Sequence, residues 1–273
     1  MASVFPVCWR LTFVLIIGLA SRVVAQPLPP DVIAYWPFDE GAGVFVHDVS
    51  GYGNNVTRSG AGWVAGVSGT ALEFVGTDIL RFVPASFDNP VTDELTIAAS
   101  VYWYGEHPGT YSLNSYILDA RTWAGGYRGF ILFIAPDGDV VFRLIQAGGA
   151  VESIRSNTSV QPGVWTHVAA VYDGPHEAFR IYIDGLPDAA VATTATYRDT
   201  IISGAIGNNL WAPGDSQWAP LNGVLDDLYV FAAALDDERI HGLFDCNDNG
   251  IVDACDVDCG APGGACDVAG CGQ

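Results

Sequence analysis

The chain has 273 residues, half of them hydrophobic, with 31 acidic against 11 basic side chains and a formal charge of −20. So apolar a composition excludes disorder for the body. So acidic a surface, in which every base is an arginine, argues against nucleic acid and anionic lipid as partners while suiting divalent cations or serving solubility alone.

Residues 1–25 read as a signal peptide. Arg10 is the first charge, the apolar run from Leu11 to Ala20 follows it, and Val23 and Ala25 precede Gln26 as small residues. The run is shorter than the roughly 20 apolar residues of a spanning helix, and Arg22 breaks it before it can serve as an anchor. Residues 26–30, Gln26-Pro27-Leu28-Pro29-Pro30, read as a linker. The expected location is therefore secreted or at the cell surface, with no membrane insertion after cleavage. Residues 31–244 are long enough for one large core.

Ile33 to Phe38 is the first strand, and Pro37, which has no N–H to donate, makes it an edge or a bulged strand. Gly41-Ala42-Gly43 and Asp48 to Asn55 carry turn chemistry. Strands follow at Ala71–Phe74 and Ile79–Val83. From Leu95 to Val101, Leu95, Ile97, Ala99 and Val101 alternate onto a core face, leaving Thr96, Ala98 and Ser100 on the other. Phe130–Ile134 and Val140–Ile145 flank the hairpin turn Pro136-Asp137-Gly138-Asp139. Trp165–Tyr172 and Phe179–Ile183 make a further pair, closed by Asp184-Gly185, and Leu225–Phe231 is a late strand. Only Asp236 to Leu243 has helical character, with Asp236 as N-cap. Short strands, Gly-rich turns and no fixed repeat predict an all-β, two-sheet antiparallel jelly-roll sandwich.

These segments resemble the laminin-G-like (concanavalin A-like) jelly rolls of extracellular proteins. The resemblance is carried by Ala34-Tyr35-Trp36-Pro37-Phe38-Asp39-Glu40-Gly41, Asp48-Val49-Ser50-Gly51-Tyr52-Gly53-Asn54 and Gly69-Thr70-Ala71-Leu72-Glu73-Phe74. It continues in Trp165-Thr166-His167-Val168-Ala169, Ile181-Tyr182-Ile183-Asp184-Gly185, Asn222 to Val230 and Ala234 to Ile240. In this family the first and last strands lie together and calcium often ties an N-terminal turn to the Asp-Asp of the last strand. The resemblance thus implies Asp48, Asn54 and Asp226 as ligands, with Glu40 and Asp227 as further candidates. The same Asp48 and Asn54 also suit a simple turn-capping role. Family members usually carry a Trp at the position held here by Ser100, so a ligand platform built on that Trp is absent.

The tail, residues 245–273, is Cys-rich. Within residues 245–256, Asp245, Asn247, Asn249, Asp253 and Asp256 supply side-chain oxygens at loop positions 1, 3, 5, 9 and 12. Gly250 stands at position 6 and Ile251 offers its carbonyl at 7. This resembles the Ca²⁺ loops of dockerin modules and thrombospondin type 3 repeats. The five tail cysteines (Cys246, Cys255, Cys259, Cys266, Cys271) are odd in number and contain no C-x-x-C; their disulfide pairing is open.

No Glu is followed two residues later by Asp, as the glucanases of this fold require, and no Gly-x-Ser-x-Gly or His-Glu-x-x-His occurs. The sequence therefore reads as a non-catalytic binding module for a glycan or an extracellular protein. Trp123, Trp211 and Trp218 in Gly/Pro-rich segments are candidate contacts or plugs of the sandwich ends. A structural or protein-interaction domain of the cell envelope is the alternative, and a secreted glycosidase or lyase a third reading. Asn55-Val56-Thr57 and Asn157-Thr158-Ser159 are glycosylation sequons.

Overall fold

The computed structural model describes residues 28–75, 78–83, 93–106, 114–122, 128–197, 203–210 and 221–244. The predicted signal peptide, Trp123, Trp211, Trp218 and the whole tail with its predicted calcium loop lie outside the described residues.

The strands in chain order are β1 (Val32–Trp36), β2 (Phe45–Val46), β3 (Val56–Ser59), β4 (Gly62–Ala65), β5 (Thr70–Phe74), β6 (Ile79–Phe82), β7 (Glu94–Trp103) and β8 (Ser115–Thr122). They continue with β9 (Arg128–Ile134), β10 (Asp139–Ile145), β11 (Val151–Ser159), β12 (Trp165–Asp173), β13 (Ala178–Ile183), β14 (Leu186–Ala192), β15 (Gly204–Ile206) and β16 (Gly223–Phe231). One helix, α1 (Asp237–Phe244), follows. The front sheet runs β14-β13-β12-β7-β16-β5-β4 with β1 also on β16, and the back sheet runs β11-β10-β9-β8-β15-β6-β3-β2. All the pairings are antiparallel. The chain is a two-sheet jelly-roll sandwich.

The predicted alternation along β7 holds: Leu95, Ile97, Ala99 and Val101 join the main core with Trp36, Phe74, Leu132, Phe142, Tyr172 and Leu225. The opposite set is buried as well. Thr96, Ala98 and Ser100 are almost wholly covered, because α1 and the segment leading to it close over that part of the front sheet's outer face. Ile240 and Phe244 of α1 pack with Ala98, Ala169, Tyr182 and Tyr229. Polar contacts fix the helix in place. The Arg239 guanidinium donates to both Asp31 oxygens at 2.7 and 2.9 Å, and the Tyr182 hydroxyl donates to Asp237 at 2.7 Å.

Asp236 is the N-cap that the sequence predicts: its carboxylate accepts the Arg239 N–H at 2.9 Å. Replacing a capping Asp by Ala removes one of the few acceptors open to a helix's first N–H groups. Asp236→Ala should therefore lower the unfolding free energy by about 1 kcal/mol, read as a fall in urea midpoint at unchanged slope.

β1 ends at Trp36, just before Pro37, pairs only with β16 among the described residues and shifts register between Val32 and Ala34. Its edge position follows from the proline. The Trp36 indole is fully buried and donates to the Asn54 carbonyl at 2.8 Å, anchoring the loop before β3 to the core.

Candidate functional site

β16 changes partner half-way. Gly223 to Leu225 pair with β5, whereas Leu228 to Phe231 pair with β1. Between them lies a bulge: the register against β7 shifts between Asp226 and Tyr229, and Asp227 takes the left-handed conformation at φ 48°. Non-glycine residues seldom adopt that region, and bulges re-aim side chains. Here the bulge turns two successive carboxylates toward the gap where β5 gives way to β1.

The β4–β5 hairpin loop closes on that gap. Asp226 is fully buried; its Oδ2 accepts the Val67 and Ser68 N–H groups at 2.9 and 3.3 Å, and its Oδ1 accepts the Asp227 N–H at 3.0 Å. Asp39, three residues beyond β1, accepts the Thr70 N–H at 3.0 Å. Two glycines make the approach possible. A Cβ on Gly66 would stand 2.3 Å from Asp226 Oδ2, and one on Gly69 (φ +69°) would stand 2.0 Å from Asp39 Oδ1. Asp227 accepts the Tyr35 hydroxyl at 2.6 Å, and Tyr35 stacks on Tyr229 with centroids 3.9 Å apart.

This is an acidic site. Burial, and then the charge of Asp227, push the Asp226 carboxyl well above the usual carboxylate range, with Asp39 adding to the rise and the loop amides opposing it. Burial likewise raises Asp39, with the Glu40 charge adding to it. Glu40 takes the His47 N–H on Oε1 at 2.7 Å, while its Oε2 is buried without a partner. The donors are hard oxygens of the kind Ca²⁺ takes, and their charge is of the sign that a cation neutralises. Among the described residues no three His, Cys, Asp or Glu side chains already converge on one ion position.

The sequence-predicted trio is distributed over two places. Asp48 and Asn54 sit together at the turn after β2: Asp48 Oδ1 accepts the Tyr35 and Ser50 N–H groups, and Oδ2 accepts both the N–H and the side-chain amide of Asn54. Asn54 also donates to the Ile33 carbonyl at 2.9 Å. These four bonds to Asp48 describe a turn cap that fastens the loop to β1. Asp226 belongs instead with Asp227 and Asp39. Sequence reasoning passed over Asp39, although its place between Phe38 and Glu40 and the Gly66-Val67-Ser68-Gly69 turn were the available signals.

Ser100 and His167 are direct cross-strand neighbours, and Asp226 lies opposite Ser100 on the other side. His167 is wholly buried, neither ring nitrogen has a hydrogen-bond partner, and Phe244 of α1 packs edge-on at 4.3 Å. Burial holds its imidazole down at about 3. Helix packing therefore occupies the Ser100 position, where the resemblance placed a missing Trp. The hairpin acids Asp137 and Asp139 both pair with Arg155 and serve the turn.

Residues 77–241 match the family model Laminin_G_3, described as the concanavalin A-like lectin/glucanases superfamily. The chain belongs to this family. Concanavalin A-like structures similar to it include the binding domain of botulinum neurotoxin DC in complex with rat synaptotagmin II. That structure has a TM-score of 0.60 and 16% identity, over 79% of this chain and 51% of that one. The binding domain of Paraclostridial Mosquitocidal Protein 1 gives 0.62 and 12% over 80% and 53%. A botulinum neurotoxin type C structure, whose cell entry depends on interaction with two ganglioside molecules, gives 0.59 and 16% over 79% and 51%. At these identities the likeness shows the fold, and the chain spans about half the length of the structures it matches. No curated protein matches the chain. No helix among the described residues is long and apolar enough to cross a membrane.

Proposed function

We propose that this concanavalin A-like chain is the non-catalytic binding module of an exported protein, recognising a glycan or matrix component, with calcium as a structural ion. The calcium part is carried by the spacing of oxygen ligands in the predicted tail loop, Asp245, Asn247, Asn249, Asp253 and Asp256 with the Ile251 carbonyl. The loop would hold one ion, whereas at Asp226, Asp227, Asp39 and Glu40 no three side chains among the described residues converge on one ion position. Bound calcium would supply charge neutralisation to the carboxylates of the tail loop. Support for the binding part comes from the similar solved structures, which are binding domains of toxins.

Ligands that bind only the folded chain raise its stability, by about 2.7 kcal/mol at 100 times the dissociation constant. For a domain of this size that is a rise of roughly 5–10 °C. Calcium should raise the melting midpoint by that order over chelator, and Asp253→Ala should abolish the rise. Equal midpoints in calcium and chelator would remove the ion from the account. A glycan array read with and without calcium tests the binding part, and no signal in any glycan class would refute it.

A further inference from the structure

We propose that the front sheet's outer face, just beyond the end of α1, carries a platform for a neutral pyranose chain, formed by Tyr102, Tyr104, Trp165 and Glu73. The inference rests on the glycan reading above and gives it a location and a ligand class.

Strand register builds the strip. Glu73 on β5 faces Val224 on β16, Val224 faces Tyr102 on β7, and Tyr102 faces Trp165 on β12. Residues directly opposite one another in antiparallel strands project from the same face, so these four form one row across the sheet. The next row toward the helix is Ser100 and His167, both buried, with Phe244 packed on the His167 ring. The aromatic row lies past that cover. Tyr104 is 41% exposed, and Tyr102 and Trp165 are half-buried.

The rings form a connected group. Tyr102 meets Tyr104 edge-on at 5.8 Å and Trp165 at 5.6 Å. The Tyr104 hydroxyl donates to Glu73 Oε1 at 2.5 Å, and burial followed by the Glu73 contact pushes that hydroxyl up to about 12, so it stays a donor. The loop under Tyr104 is pinned: its N–H donates to the Asn222 carbonyl at 2.8 Å, and the Asn222 side chain donates to the Gly105 carbonyl at 3.1 Å. Small residues flank the strip. Glu73 Oε2 stands above Gly62, and Gly163 lies beside the Tyr102 hydroxyl. Rings held in place before binding lose little entropy when a ligand arrives.

The chemistry selects the occupant. Aromatic rings with one wet edge suit the C–H face of a sugar ring, and a carboxylate beside them accepts its hydroxyls. Glu73 supplies the local charge in a chain of net −20, and no arginine stands in the row. Uronate-rich and sulfated chains are therefore repelled, leaving a neutral polysaccharide.

The test uses the full chain in affinity electrophoresis and titration calorimetry against a soluble β-glucan, a galactomannan and a xylan, with alginate and chondroitin sulfate as anionic probes. The wild type should be retained by at least one neutral polymer and by neither anionic one. Tyr104→Ala and Trp165→Ala should each weaken that binding ~10-fold or more, a loss of about 1.4 kcal/mol or more. Tyr104→Phe, which keeps the ring, should retain most of it. Tyr104 is the exposed member, so its alanine variant should melt with the wild type, and Glu73→Gln supplies a second well-folded variant with weakened binding. Undiminished binding by folded Tyr104→Ala and Glu73→Gln would overturn the location while leaving the glycan reading standing. Retention by anionic polymers alone would overturn the ligand class. A wild type that binds none of the five overturns both.

Discussion

Asp226→Ala should lower the unfolding free energy by about 2–4 kcal/mol in chelator at neutral pH. The substitution leaves three N–H groups, those of Val67, Ser68 and Asp227, without their acceptor. A buried donor left unsatisfied costs on the order of 1–3 kcal/mol. Two effects reduce the sum: removing the carboxylate relieves its repulsion by Asp227 and Asp39, and the loop can admit water. Asp226→Asn keeps the shape and one acceptor oxygen, so its cost should be nearer 1 kcal/mol. Urea unfolding of both variants reads the difference, and equal midpoints for Asp226→Ala and wild type would show that the hairpin loop does not depend on this carboxylate.

His167→Leu should stabilise the protein, and increasingly so in acid. At pH 7 the gain should be about 1 kcal/mol, because a similarly sized apolar side chain replaces two buried ring nitrogens that have no partner. The acid dependence follows from linkage. The folded chain holds the imidazole at about 3, below the ordinary value near 6.5 that it takes when unfolded. Above pH 6.5 neither state binds the proton. As pH falls below 6.5 only the unfolded state binds it, and wild-type stability drops by about 1.4 kcal/mol per unit until the folded value is reached. Ser100 on β7 lies opposite His167, Phe244 of α1 packs on the ring, and Asp184, in the turn after β13, accepts the His167 backbone N–H. Asp184 is raised by burial and so works in the opposite sense, gaining stability as pH falls. Comparing wild type with His167→Leu cancels that contribution. Their difference should widen by about 3 kcal/mol between pH 6.5 and pH 4; parallel curves would show that the ring is reached by water.

Much of the sandwich was legible in the sequence where one strand face alternates. β7, β9, β10, β12, β13 and β16 are each rich in β-branched and aromatic residues, and their predicted positions agree with the structure to within a few residues. The strands passed over include β8, fully buried but interrupted by Asp119 and Arg121, and several whose local signal is weak. β14 contains Pro187 and three Ala residues and lies at a sheet edge, and β11 places Ile154 in the core while its other positions are polar apart from the exposed Val151. β15 has only three residues. The burial of Ser100 was not legible, because alternation gives the face of a residue and not what later covers it.

The candidate site was legible in part for the same reason. Asp226 and Asp227 stand out as an Asp-Asp pair in a late strand, but their partner Asp39 lies far away in sequence and is joined to them only through the β4–β5 loop. Asp48 and Asn54 have the composition of metal ligands and the geometry of a turn cap, and composition alone does not separate the two. The strip of Tyr102, Trp165 and Glu73 depends on the register of four strands, which a single sequence leaves open until the partners are known.

We propose that this concanavalin A-like chain binds a polysaccharide without cleaving it. Incubating the wild type with the neutral polymers in calcium, and assaying retention and new reducing ends on the same samples, tests that claim most directly. Reversible retention is expected, with no increase in reducing ends over a protein-free control. New reducing ends, lost on substitution of a single Asp or Glu, would contradict it.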